Sequence, residues 1–312
     1  MLLRHGCWAL MLSLLVAGVC SAQDIETEST DYRDPSAPVE FEKPKLLGLV
    51  RATDPSFNNF VSPMTNPVYF EDPRNVSEVR AIFLNNTIPS ALGGNQAQLY
   101  AAQVRAALTE NLSLVAAKDG YIVSQNPLLE DGFADVSVGL KYLAFKNVAS
   151  QTLASVGFAY SLPIGSTQAL QGRCDGEFNL YATGGTEILP NIHYVTTSGF
   201  RLPSNANQGN QIWYWSNHLD WQIGGSKWYL FTEENWYHYM SGANALPLPV
   251  GGMDLFNLGA TGIGGQNTVT GAYGLKYKPR PNIETGICYE IPYSQRHDIM
   301  QNRLTVDLII RY

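Results

Sequence analysis

His297 and Asp298 are adjacent, and a histidine beside a carboxylate can activate water as a general base. Ser216, Asn217 and His218 also follow one another. A Ser-His-Asn site built from them would need convergence in space that neighbours on one strand do not supply. Neither group has a distinctive spacing, and no GxSxG or HExxH occurs. The stretch "GGMDLFNLGATGIGG" is rich in glycine but lacks a phosphate-loop pattern. CxxC pairs and clustered His/Cys spacings are absent, and Cys174 and Cys288 read as two unpaired thiols. No catalytic residue, metal or cofactor is predicted.

A second chemistry is carried by ionisable residues at alternate positions of apolar segments. These are Arg80, Arg105, Asp135, Lys141, Asp220, Lys276, Glu284, Glu290, Asp307 and Arg311. Alternation along a strand puts them on one face, opposite the apolar residues. If the apolar face meets lipid, a Lys or Arg there costs about 2 to 4 kcal/mol near the midplane, so the charged face must point into a lumen. Charges of both signs would then line a pore, with Arg105, Lys141, Glu290 and Asp307 at its centre. Alternatively, they pair with one another and fill a narrow barrel. About eight strands are filled by side chains and sixteen or more leave a channel, so about twelve lies between.

The elements that must position these residues are strands. "SEVRAIFLNN" sets Val79, Ala81 and Phe83 against Glu78 and Arg80. "AQLYAAQVRAAL" sets Tyr100, Ala102 and Val104 against Gln103 and Arg105. "FADVSVGLKYLAF", "TLASVGFAYSL" and "QIWYWSNHLDWQI" alternate in the same way, and "EFNLYATGG" and "HYVTTSGFRL" do so weakly. About twelve such segments follow Ser77, each near ten residues long, as membrane strands are. Trp213, Trp215, Trp221, Trp228, Trp236, Tyr142, Tyr273, Tyr277, Tyr289 and Tyr312 suit girdles at the membrane interfaces.

After the first strand the connections run long, short, long, short. "NTIPSALGGN", "DGYIVSQNPLLEDG" and the stretch around Pro247 are long, while "TEN", "KNVASQ", "GGS" and "PRPNI" are short. An up-and-down barrel predicts this, with tight turns at the periplasmic rim. The last segment, "NRLTVDLIIRY", alternates to its final residue, so it reads as the stave that closes the cylinder.

"MLLRHGCWALMLSLLVAGVCSA" has a basic start, a short apolar run and small residues, which predicts a secretory signal peptide over residues 1–22. A lipoprotein anchored at Cys20 is the alternative, though Val19 fits that motif poorly. Residues 23–76 are irregular, first acidic and then aromatic, and are expected to form an arm that either hangs loosely or plugs the lumen. The barrel is expected over 77–312. No later apolar run reaches the length of a membrane helix. Charged residues are only 15%, and a net charge of −7 excludes nucleic acid as a natural partner.

"NPVYFEDPR", "GFADVSVGLKY", "FAYSLPIGS" and "RLTVDLIIRY" resemble outer-membrane proteins of the phenol meta-pathway family. The resemblance spans roughly Asn66 to Tyr312 and implies a small barrel assigned to transport. The fold expected is thus an all-β, transmembrane, antiparallel up-and-down barrel of about 12 strands in the bacterial outer membrane. Its expected work is passive passage of small solutes, hydrophobic or aromatic ones among them. Its partners would be outer-membrane lipid, the solute, and the barrel-insertion machinery reading the strand that ends at Tyr312. Two alternatives stand beside this: a closed structural or adhesive barrel whose long loops bind a partner, and a soluble extracellular β-sandwich that binds a ligand.

Overall fold

The computed structural model describes residues 46 and 48–312; the expected leader, with Cys7 and Cys20, and the arm's stretch 23–45 lie outside the described residues. Fourteen strands follow in order: β1 (Glu78–Thr87), β2 (Gln96–Ala107), β3 (Leu112–Lys118), β4 (Tyr121–Ser124), β5 (Gly132–Phe133), β6 (Val136–Asn147) and β7 (Thr152–Leu162). Then come β8 (Glu177–Leu189), β9 (Ile192–Pro203), β10 (Ile212–Gln222), β11 (Trp228–Tyr239), β12 (Asn267–Arg280), β13 (Ile283–Pro292) and β14 (Asn302–Arg311). All pairings are antiparallel. Twelve of the strands close into a barrel, and the short β4 and β5 are extra.

Closure is complete at β1. Every residue of β1 pairs with β14, from Glu78↔Arg311 to Thr87↔Asn302, and also with β2, from Glu78↔Arg105 to Thr87↔Gln96. No free edge is left at this seam. The closing role expected of the terminal strand is therefore present, and Tyr312 adds one bond beyond it, from its N–H to the Ser77 carbonyl.

The alternation read from sequence sets which face is which. On β14, Ile310 and Leu308 are exposed while Arg303, Thr305, Asp307 and Arg311 are buried. Along β7, Val156 and Phe158 point out while Leu153, Ser155, Ala159 and Ser161 are buried. An outward belt of large apolar side chains around a closed sheet is what lipid requires, because the ladder already satisfies the backbone. The tyrosines and tryptophans expected in girdles are exposed or half-buried, Tyr273 most of all at 63%.

One expectation needs correction. The long link after β3 is not featureless: β4 continues the line of β3 against β2, and β5 pairs with β4. Its mixed pattern, with Asp119–Gly120 in the middle, hid a stave broken by a bulge. The two segments with the weakest alternation are strands as expected, β8 and β9, joined by only Pro190–Asn191. Their small polar residues are adequate there because Thr183 and Thr197 face the interior and hydrogen-bond what fills it.

Cys174 and Cys288 are free thiols, both buried. At the rim of short turns, residues 51–57 are stitched to the barrel: Arg51 N–H to the Ala107 carbonyl at 2.8 Å and Thr53 N–H to the Tyr312 carbonyl at 2.6 Å. Asp54 pairs with Lys146 on β6. Burial opposes ionisation of Asp54, but bonds from Lys146 and Ser56 outweigh it and hold the carboxyl below its usual range.

Candidate functional site

From Phe60 to Arg74 every residue except Val68 is buried, although none of them belongs to a strand. The chain that precedes β1 is packed among the inward-facing side chains of the staves. Its sequence explains how an irregular backbone survives there. Pro63, Pro67 and Pro73 remove three N–H donors that would need partners. Three of the remaining donors meet wall carboxylates: Ser62 N–H bonds Glu284 at 2.9 Å, and Met64 and Thr65 N–H bond the two oxygens of Glu233 at 2.8 and 2.6 Å. Tyr69 and Phe70 N–H turn back to the Asn66 carbonyl. Other carbonyls of the segment meet lysines and hydroxyls. Lys141 Nζ reaches the Asp72 and Arg74 carbonyls at 2.6 and 2.8 Å, and Ser155 reaches Pro73 at 2.6 Å. Thr183 and Thr197 both bond the Glu71 carbonyl.

Charge pairing reinforces these ties. Glu71 accepts from Arg105 at 2.8 and 2.7 Å and from Lys141 at 2.8 Å. Asp72 folds back on Arg74, at 2.6 Å at the closest. On the wall itself a chain of alternating sign runs Glu78, Arg311, Glu284, Lys276, Asp307, Arg80, with successive contacts of 2.9, 2.9, 2.5, 3.2 and 2.8 Å. A second group joins His193 to Asp220 at 2.8 Å, Asp220 to His218 at 3.2 Å, and His218 to Glu233 at 2.7 Å. Asp135 pairs with Lys118 at 3.2 Å, and Glu290 lies 3.5 Å from Arg303 and accepts from Thr270 at 2.6 Å.

All ten ionisable residues named from the alternation are therefore buried; nine face partners of opposite sign, and Asp220 faces two histidines. Arg105 and Lys141, two of the four placed at the centre, converge on Glu71. Glu290 and Asp307 lie in separate groups. Several partners were missed. Glu177, Arg201, Glu233 and Arg303 sit on the correct phase of their strands and were legible in principle. Glu71, Asp72 and Arg74 sit in an irregular stretch, where no periodicity marks a side chain as inward.

The opposite end of the lumen is also occupied. In the 240–266 connection Met253, Phe256, Leu258 and Ile263 are buried in one apolar cluster with Leu84, Ile122 and Tyr214. Asp254 of this loop pairs with Arg303 at 2.9 Å, and Asn257 bonds Glu177 at 2.5 Å. The residues first considered for catalysis have other bonds. Asp298 takes bonds from Gly251 N–H and the hydroxyls of Tyr239 and Thr268. Ser216 accepts from Asn66, while His218 is held by Asp220 and Glu233. Among the described residues no group of three or more His, Cys, Asp or Glu side chains is placed to hold a metal ion.

No protein-family model and no curated protein sequence matches the chain. Solved structures do. The COG4313 outer membrane channel from Pseudomonas putida F1 superposes with a TM-score of 0.53 at 10% identity, over 81% of this chain and 100% of that one. The NanC porin gives 0.48 at 10% identity over 76% and 98%. The KdgM porin in complex with disordered oligogalacturonate gives 0.47 at 10% over 75% and 99%. The likeness to the first is one of fold: both chains form a closed antiparallel β-barrel of this size.

Proposed function

We propose that the chain is an outer-membrane channel for passive passage of small solutes, with residues 57–76 as a plug that must shift for the path to open. One observation carries this reading. Beside the apolar contacts of Phe57, Phe60, Met64 and Phe70, the plug is held to the wall by hydrogen bonds and ion pairs to lumen-facing side chains, and such polar ties can be exchanged for water. A segment meant to seal the barrel permanently would bury an unbroken apolar surface instead. The ten inward ionisable residues would then set the selectivity of the path, with the outer connections as its gate. Hydrophobic or aromatic solutes are the proposed cargo.

Conductance of the folded chain in a planar bilayer, with and without residues 23–75, tests the reading. Conductance that appears or rises on truncation supports a displaceable plug. Silence of both, from protein shown to be inserted, would overturn the channel reading. That outcome would favour a closed barrel whose outer connections bind a partner, a reading to which the packed 240–266 loop lends some support.

A further inference from the structure

The ladder of the barrel wall is interrupted at one height between the broken staves. β3 pairs with β2 up to Val104↔Ala116, and β4 resumes at Tyr100↔Tyr121, so one extra residue is bulged out on the β3–β4 side. On the other flank, β6 pairs with β3 up to Lys118↔Ser137, and β5 resumes with β4 at Tyr121↔Phe133. Residues 119–120 and 134–136 between these points have no ladder register with one another. A backbone bond from Ala134 to the Gly120 carbonyl, 2.9 Å, and the Lys118–Asp135 ion pair cross the gap. Gly120, with φ +114°, runs so close to β2 that a Cβ there would lie 2.4 Å from the Tyr100 carbonyl.

A groove of about 980 Å³ lies over this break on the outer face. Two aromatic pairs border it, Phe83 with Tyr100 (ring centroids 5.2 Å apart) and Tyr121 with Phe133 (4.9 Å). The facing pair Ala81↔Ala102 leaves the depression between larger neighbours. On the lumen side of the same wall is a small cavity of about 30 Å³, bounded by Leu84, Leu99, Ile122 and Phe256. Groove and cavity share two lining residues, Asp119 and Ala134. Asp119 is the anomaly. Its carboxylate accepts from Ala102 N–H at 3.1 Å, and among the described residues no cation pairs with it. An unpaired acid in an apolar, lipid-level groove calls for a hydrogen-bond donor.

We propose that this break is a lateral portal. A small apolar alcohol dissolved in the lipid docks between the two aromatic pairs and donates its hydroxyl to Asp119. It then exchanges with the lumen through the gap bounded by Asp119 and Ala134. The portal rests on the channel reading, and it supplies an entry through the wall that reaches the lumen beside Val68 of the plug and Phe256 of the 240–266 loop. The groove opens directly onto the lipid-facing belt, so an apolar occupant arrives without crossing water.

The test uses the full folded chain in lipid vesicles and 3-azioctanol, a photoreactive alkanol, added through the lipid. After illumination the labelled residues are mapped by mass spectrometry. The portal predicts labels at Tyr121 and Phe133 in the groove and at Phe256 across the wall. Asp119→Ala should lower groove labelling about tenfold at sub-saturating probe, as loss of one bond to a charged acceptor does. Ala134→Phe should block the Phe256 label and keep that of the groove. Should Ala134→Phe fail to fold, Ala102→Trp on the exposed floor must remove the groove label instead. Labelling spread evenly around the belt, no label at Phe256 in the native chain, or variants that label like the native chain would each overturn the portal. Failure of the channel reading shows separately, as silence of both constructs in the bilayer recordings.

Discussion

Arg105 of β2 grips Glu71 of the plug through two parallel bonds, Nε to Oε1 at 2.8 Å and Nη2 to Oε2 at 2.7 Å. Lys141 of β6 holds the same carboxylate from a stave two places round the wall, at 2.8 Å. One acidic side chain thus joins the plug to two cations on different staves. Removing one partner of a buried pair commonly costs 3–5 kcal/mol, because the remaining charge is left unpaired. Glu71→Gln leaves Lys141 with the Asp72 and Arg74 carbonyls but no carboxylate, and leaves Arg105 with Glu78 alone, at 3.2 Å. It should loosen the plug while leaving the β-ladder untouched. The expected record is more frequent or larger opening in a planar bilayer than the native chain shows, with unchanged heat-modifiable migration.

Glu233 offers a test without net release of a cation from an Arg clamp. It accepts the N–H groups of Met64 and Thr65, and the Thr65 hydroxyl as well. A buried donor left without a partner costs about 1–3 kcal/mol. Glu233→Ala should therefore raise amide exchange at residues 64 and 65 by about tenfold to a hundredfold, since each 1.4 kcal/mol is a factor of ten. Exchange in β11 itself should change far less, because its ladder to β10 and β12 is intact. Equal acceleration throughout the barrel would show that Glu233 supports the fold rather than the plug.

Much of this fold was legible because a barrel imposes period-two alternation, and alternation survives without any particular side chain. The inward phase of Arg80, Lys141, Lys276 and Asp307 followed from that rule alone. What escaped was set by contacts between distant parts. Nothing near Glu71 marks it as the partner of Arg105, 34 residues away. The broken stave escaped because one bulged residue at Asp119–Gly120 shifts the phase, after which β4 reads as part of a loop. His218 was legible as inward, but its bond to Glu233 depends on the register of β10 with β11.

The seam at the C-terminus gives a prediction about folding. Tyr312 N–H bonds the Ser77 carbonyl at 2.9 Å, and its own carbonyl accepts from Thr53 at 2.6 Å. Deleting Tyr312 removes both backbone ties and the aromatic ring at the rim. The β1–β14 ladder up to Glu78↔Arg311 remains. The barrel should still form but more slowly and in lower yield in vesicles, read as the fraction that migrates in the folded, unheated position. Full native yield would mean that the ladder alone is sufficient to close the barrel.

The lipid-facing reading of the outer surface can be separated from a soluble sandwich by one substitution. Phe158 lies in the middle of β7, is 49% exposed, and pairs with Leu140 and Leu180 on the neighbouring strands. Had this face met water, Phe158→Arg would change stability by no more than about 0.5 kcal/mol, as surface substitutions usually do. Facing the bilayer core, the same change should cost about 2 to 4 kcal/mol. The cost should also depend on height: Ile310→Arg, one residue from the end of β14, should cost less than half as much. Denaturant unfolding of the chain folded into short-chain lipid vesicles measures both. A large penalty at Phe158 that falls toward Ile310 is the signature of a membrane, because depth has no meaning for a protein surrounded by water.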